Sequence, residues 1–176
     1  MRPRFCAFLA MCLATATLSG QVNANAQAPV VVSNTSVERS AGGFKVSYAV
    51  TNWSLKTVVA YVTVVSFFDA NGNVASRTTR TRMMGFDPSG KKLLPGETNG
   101  EHTRHVHLRP DGTPLGTKVS VDYVLFEDGS SWGPDTTKRS VEVQATLRGW
   151  ELARAHFKRL LKEKGVQSVI EDLNRY

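Results

Sequence analysis

Cysteine is nearly missing from this chain. The only two, Cys6 and Cys12, lie in an N-terminal stretch with Arg2 and Arg4 ahead of an apolar run from Phe5 to Leu18, followed by a small-x-small triplet at Ala24, Asn25 and Ala26. Basic residues, a short apolar run and a small-residue site, in that order, are the layout of a secretory signal peptide. Removing residues 1–26 of 176 leaves 150 with no thiol, which excludes both disulfide stapling and cysteine catalysis in the oxidising compartment the chain enters. Long hydrophobic runs are missing too. The Phe5–Leu18 run is about fourteen residues, short of the roughly 18–20 that span a bilayer, and no later stretch exceeds it, so the mature chain is expected to carry no transmembrane segment. Acid is in mild deficit. Lys and Arg number 22 against 15 Asp and Glu, a net charge of +7 that falls to +5 once Arg2 and Arg4 are removed. This excess suits an anionic surface but is far from a nucleic-acid signature. The expectation is an exported protein, periplasmic or extracellular, that binds no nucleic acid.

What is present is a period-two pattern from Val30 to about Trp132, broken by turn residues every eight to twelve positions, which predicts an all-β sandwich. Phe44, Val46, Tyr48 and Val50 alternate with Lys45, Ser47 and Thr51, so one face of that strand is buried and the other wet. The run TVVAYVTVVSFFDA has almost no polar face, with Val58, Val62, Val64 and Phe68 on one side and Val59, Tyr61, Val65 and Phe67 on the other. Such a strand sits centrally and needs a lid outside the sheet. NVASRTTRTRMM reads as a solvated strand near an edge, and Val119, Val121, Tyr123 and Leu125 share one face of another strand. From about Thr146 the period becomes helical: Leu147, Trp150, Ala153, Phe157, Leu160 and Leu161 gather on one side, Gly165 stops the helix, and Val166, Val169, Ile170 and Leu173 predict a short second one. The apolar side of this tail is the expected lid. The predicted domains are a signal peptide over 1–26, a sandwich of about seven antiparallel strands over 27–140, and a helical extension over 141–176 packed on the sandwich or on a partner.

The order VTN at Val50–Asn52, an apolar strand ending VSFFD at Val65–Asp69, Asn71-Gly72, and LLPGE at Leu93–Glu97 resembles the FxLYD-type domain of exported bacterial proteins. The likeness spans roughly residues 44–123, and the namesake motif is matched in part: Val65, Phe67 and Phe68 replace its usual Phe, Leu and Tyr, while Asp69 is kept. The resemblance implies an immunoglobulin-like β-sandwich with no catalytic residues to carry over. The same residues have a plain physical use. Asp69 can accept from the amides of its own turn, Gly72 can take a positive φ, and Pro95-Gly96 sets a second turn.

Three of the four histidines fall in GEHTRHVHL, Gly100–Leu108. With Val106 and Leu108 facing the core, strand alternation sends His102 and Arg104 inward and leaves Glu101, Thr103, His105 and His107 outward. His105 and His107 could then approach one metal ion, each with one imidazole nitrogen, but a third ligand is needed and no spacing selects one. DANGN at 69–73 starts like a calcium loop yet has Arg80 at the twelfth position instead of a bidentate glutamate, so it reads as a hairpin turn. No Gly-x-Ser-x-Gly elbow, phosphate-cradling glycine loop or paired-zinc motif occurs, and the acids are scattered in turns. Arg77, Arg80 and Arg82 on one predicted strand, with Arg104 on another, form an anion- or partner-binding surface if those strands are neighbours. The same arginines would also protect an edge strand from aggregation.

The sequence therefore predicts a non-enzymatic binding or assembly module of the cell envelope, with no cofactor. Its partner would be a protein or an anionic envelope component, and an edge strand or the C-terminal helix permits self-association. The alternative is a metal-binding protein or metal-dependent hydrolase centred on His105 and His107.

Overall fold

The computed structural model describes residues 28–40, 43–84, 91–106 and 116–175, with the backbone alone at residue 40 and at 102–106. Seven strands precede a helical segment: β1 Val30–Ser40, β2 Gly43–Asn52, β3 Val58–Phe68, β4 Val74–Met83, β5 Thr98–Val106, β6 Gly116–Phe126, β7 Ser131–Trp132 and α1 Arg139–Leu173. They form two antiparallel sheets, β1-β2-β5 and β4-β3-β6-β7, so the protein is a mainly-β sandwich with a C-terminal helical segment. β3 is central and β4 is an edge, as their compositions predict. Val46, Tyr48 and Val50 of β2 meet Tyr61, Val65 and Phe67 of β3 in the inter-sheet core, with Phe44 half-buried beside them. Each such side chain stabilises the fold by about 1.5–3 kcal/mol.

Five register shifts interrupt strict alternation among the described strands, and three of them re-aim the side chains that matter for the core and the polar cluster. Val59 is the extra residue opposite the Phe126–Leu125 step of β6, so Val58 turns inward with Tyr61 while Val59, Ala60 and Val62 face outward. Asp122 is the extra residue opposite the Val62–Thr63 step. Val119 and Val121 therefore pack on the inter-sheet core, whereas Tyr123 and Leu125 lie on the outer face, not on one face together as period two predicts. The third bulge is in β5: the Phe44–Val46 step of β2 is matched by the three-residue step from Val106 to Thr103.

The turns are built as their residues predict. Asp69 Oδ1 accepts from the amides of Asn71 and Asn73, both at 2.9 Å, and Gly72 adopts φ 78°. Asn52 of the VTN stretch is buried and stitches two loops. Its Nδ2 donates to the carbonyls of Lys56 (2.8 Å) and Leu93 (3.0 Å), and its Oδ1 accepts from the Ser54 amide (3.0 Å) and hydroxyl (2.6 Å).

The helix begins at Arg139, seven residues before the helical periodicity becomes visible. Its approach is clamped to the sandwich. The Asp122 carboxylate accepts from the amides and hydroxyls of Thr136 and Thr137 at 2.6–3.0 Å, and Asp135 accepts from the Ser140 amide and hydroxyl. Val143, fully buried, and Leu147 then cover Val59, Ala60, Val62, Tyr123 and Leu125, giving β3 its lid. The lid is thus only the first two turns of the helix. Trp150 and Leu161, expected on the sheet, remain 40% and 52% exposed because the stripe that starts at Val143 runs on past the sheet.

Gly165 is non-helical, at φ 80° and ψ 178°, and splits the segment where the sequence predicts a stop. His156 Nε2 lies 2.8 Å from Asp172 Oδ2. Sixteen residues of continuous helix would hold them about 24 Å apart. The chain therefore folds back at Gly165 into a helical hairpin, with Phe157, Leu160 and Val169 half-buried along it.

Asp122 makes this anchoring pH-dependent. Burial alone would raise its carboxyl, but the Thr136 and Thr137 donors outweigh burial and hold it below the ordinary carboxylate range. A folded-state pKa below the unfolded value of about 3.9 contributes stability that is complete above that value and is lost as pH falls through the folded one. Asp122→Asn is expected to be less stable at neutral pH, with the difference in urea midpoint narrowing below about pH 4. A difference constant from neutral to acid pH would contradict this.

Candidate functional site

A buried polar cluster lies between the sheets, at the side where edge strands β4 and β5 face each other. Glu101 of β5 is 4% exposed. Its Oε1 accepts from the Tyr61 hydroxyl (2.7 Å) and Asn99 Nδ2 (2.8 Å). Arg80 Nε lies 2.8 Å from Oε2, and Arg82 Nε lies 3.5 Å from Oε1. Both distances qualify as ion pairs, but neither Nε–H is aimed at the carboxylate as a hydrogen bond, so both contacts are ones of charge. Tyr48, which pairs with Glu101 across β2 and β5, shares a 2.7 Å hydrogen bond with Thr63 of β3. Polar bonds thus link both sheets from the middle of the sandwich to its open side.

Burial pushes the Tyr48 and Tyr61 phenols up, and the hydrogen bond to Glu101 raises Tyr61 further, since a phenolate beside a carboxylate is doubly disfavoured. Tyr61 therefore stays a donor. Glu101 is taken up by Tyr61, Asn99 and two guanidinium groups, and among the described residues no second carboxylate joins it. The arrangement is that of an inter-sheet latch.

Glu101 is the main departure from the alternation argument, which places it outward with His105. It faces inward because the β5 bulge falls between Thr103 and Val106: Thr103 pairs with inward Val46 and Val106 with inward Phe44, so the two ends of β5 are out of phase. One signal was available: Arg80 and Arg82 share a strand face, and two cations turned toward a core require an anion.

The predicted anion-binding residues are divided by the structure. Arg80 and Arg82 stand opposite Thr63 and Tyr61 and turn inward to Glu101, whereas Arg77 stands opposite Ser66 on the other face and is exposed. The side chain of Arg104 lies outside the described residues, as do that of His105 and all of His107. Among the described residues no three His, Cys, Asp or Glu side chains converge as metal ligands, which does not bear on the His105–His107 pair.

A groove of about 260 Å³ opens where α1 leaves the sandwich, floored by Val59, Met84, Leu125, Phe126 and Leu147 and overhung by Arg154. Small-molecule sites run from roughly 300 to 1,000 Å³, so this groove is better explained as the margin of the helix–sheet contact.

No family model matches the chain, and no curated protein does. Two solved structures are similar to it. One is a hypothetical protein from Peptoclostridium difficile 630, with TM-score 0.42 and 14% identity, covering 67% of this chain and 92% of that one. The other is a DUF1425 family member from Shewanella sp. pv-4, with TM-score 0.34 and 18% identity, covering 52% of this chain and 75% of that one. The FxLYD-type family is not among these matches, and the sandwich stands on its own sheet topology. Among the described residues no helix is long and apolar enough to cross a membrane.

Proposed function

We propose that this protein is a non-enzymatic binding or assembly module of the cell envelope. In this reading the chain is exported to the periplasm or beyond, the latched sandwich is the scaffold, and the helical hairpin is the contact element. The observation that carries it is the stripe Val143, Leu147, Trp150, Phe157, Leu161, which starts buried and ends half in solvent. Ile170 and Leu173 on the returning helix are also about half exposed. Isolated exposed apolar residues are ordinary, but a continuous stripe extending a packed interface marks a surface meant to be covered. Between Arg139 and Arg175 there are eight Lys or Arg against five acids, so a partner of acidic character fits.

A photo-crosslinking residue at position 161, expressed in cells, is expected to give a discrete adduct, with a control at the exposed Lys118 of β6 giving none. Trp150→Glu should reduce the adduct roughly tenfold without changing the melting temperature. No adduct from the hairpin would remove the reading. A hydrolytic activity lost in His107→Ala would replace it with a metal-dependent enzyme.

A further inference from the structure

Among the described residues of the sandwich, the β2–β3 loop, Trp53 to Thr57, carries the most exposed large apolar side chains. Leu55 is 96% exposed and Trp53 69%, and Leu94 on the turn before β5 is 48% exposed. These residues share one end of the molecule because Asn52 bonds to the backbone of both loops, at Lys56 and at Leu93. The Gly96 amide adds a 2.7 Å bond to the Asn52 carbonyl. Leu55 is thus held out in water by a braced loop. Side chains presented on a rigid platform lose little conformational freedom when they bind, so such a tip is prepared for an apolar contact.

We infer that this end is a bilayer-docking tip, at which Trp53, Leu55 and Leu94 insert into the lipid interface. Three observations select lipid. First, an indole with an apolar body and one polar N–H beside fully projecting leucine suits the boundary between headgroups and acyl chains. Second, two lysines at the tip are already paired within the fold, Lys56 with Asp128 at 2.8 Å and Lys92 with Glu127, and the Glu97 carboxylate is turned back to accept from the Leu94 amide. An apolar tip with a self-neutralised rim has little to offer a charged protein surface and suits an apolar phase. Third, the Trp53 amide donates to the Pro29 carbonyl at 2.8 Å, so the chain enters the sandwich at this same end, directly after the segment that contains the apolar run Phe5–Leu18. In the export reading this end emerges nearest the membrane until residues 1–26 are removed. The choice of lipid rests on that export reading, whereas the presence of a docking tip does not. The helical hairpin is a separate surface.

The exported chain, purified in its native form, is tested with sedimented vesicles of phosphatidylcholine alone and of phosphatidylcholine with phosphatidylglycerol. It is expected to bind both, with little change between about 0.1 and 0.5 M salt, where screening shortens to a few ångström. Leu55→Ser combined with Trp53→Ser should lower partitioning at least roughly tenfold. Far-UV circular dichroism and melting temperature should be unchanged, because both side chains are solvent-exposed. Brominated lipid should quench part of the tryptophan emission, and Trp53→Leu should abolish that part while binding persists. The inference is overturned if neither vesicle is bound, or if binding needs anionic lipid and survives the double variant. It is equally overturned if Leu55 instead supports a concentration-dependent dimer. Fractionation of cells reports separately on export, so a cytosolic chain that still binds vesicles would sink the export reading and leave the tip standing.

Discussion

Glu101→Ala is expected to cost about 3–5 kcal/mol of unfolding free energy, toward the lower end because both arginines retain some solvent. The wild-type carboxylate accepts from Tyr61 and Asn99 and neutralises Arg80 and Arg82. Removing it leaves two cations turned toward an apolar interior and a buried phenol without its acceptor, and the latch between β4 and β5 opens. Denaturant titration of the folded chain measures the loss. A loss below about 1 kcal/mol would mean that the cluster behaves as a surface ion pair. A second comparison separates the worth of the pair from the cost of orphaning its partners. Replacing Arg80, Glu101 and Arg82 together with Leu, Met and Leu should recover at least half of the loss, since a buried ion cluster and a packed apolar one are often nearly equal in energy.

Gly133→Ala is the second large effect, expected at about 4 kcal/mol. A Cβ at this position would lie 2.4 Å from the Asp122 carbonyl oxygen and 2.9 Å from its carbon, and both are backbone atoms that cannot swing aside. The residue also sits at φ 120°, which a side chain rarely adopts. Relief requires the segment after β7 to lift from β6, which pulls Thr136 and Thr137 off Asp122 and loosens the seat of Val143 and Leu147. The same substitution at Gly149, inside the helix with nothing within 4 Å of the added carbon, is expected to stabilise by up to about 1 kcal/mol. Opposite signs in the two denaturation midpoints would support the clamp. Similar small effects at both sites would show that α1 is not held through Gly133.

Much of the scaffold was legible in the residues. Alternation in Phe44–Val50 marked a half-buried strand, the doubly apolar Val58–Phe68 marked a central one needing a lid, and the Thr- and Arg-rich Val74–Met83 marked an edge. Asp69, Gly72 and Gly96 marked turns and Gly165 a helix stop, and each lies where the regular backbone is interrupted. What escaped was the aim of side chains beyond a bulge. Tyr123 and Leu125 were grouped with Val119 and Val121, and Glu101 with the outward face of β5, because one extra residue in a strand reverses every later position. The latch was hidden for the same reason, its members coming from β3, β4 and β5.

The sequence by itself determined the mainly-β character, the punctuation of the chain, the central place of β3 and the two-part helical tail. These depend on the period of apolar residues and on backbone preferences that act over a few positions. Only the tertiary structure decided that Arg80 and Arg82 turn inward while Arg77 stays outside, that Val143 and Leu147 supply the lid, and that the tail folds back through His156 and Asp172. Those outcomes depend on inter-strand register and on pairing between residues far apart in sequence, which local periodicity does not encode.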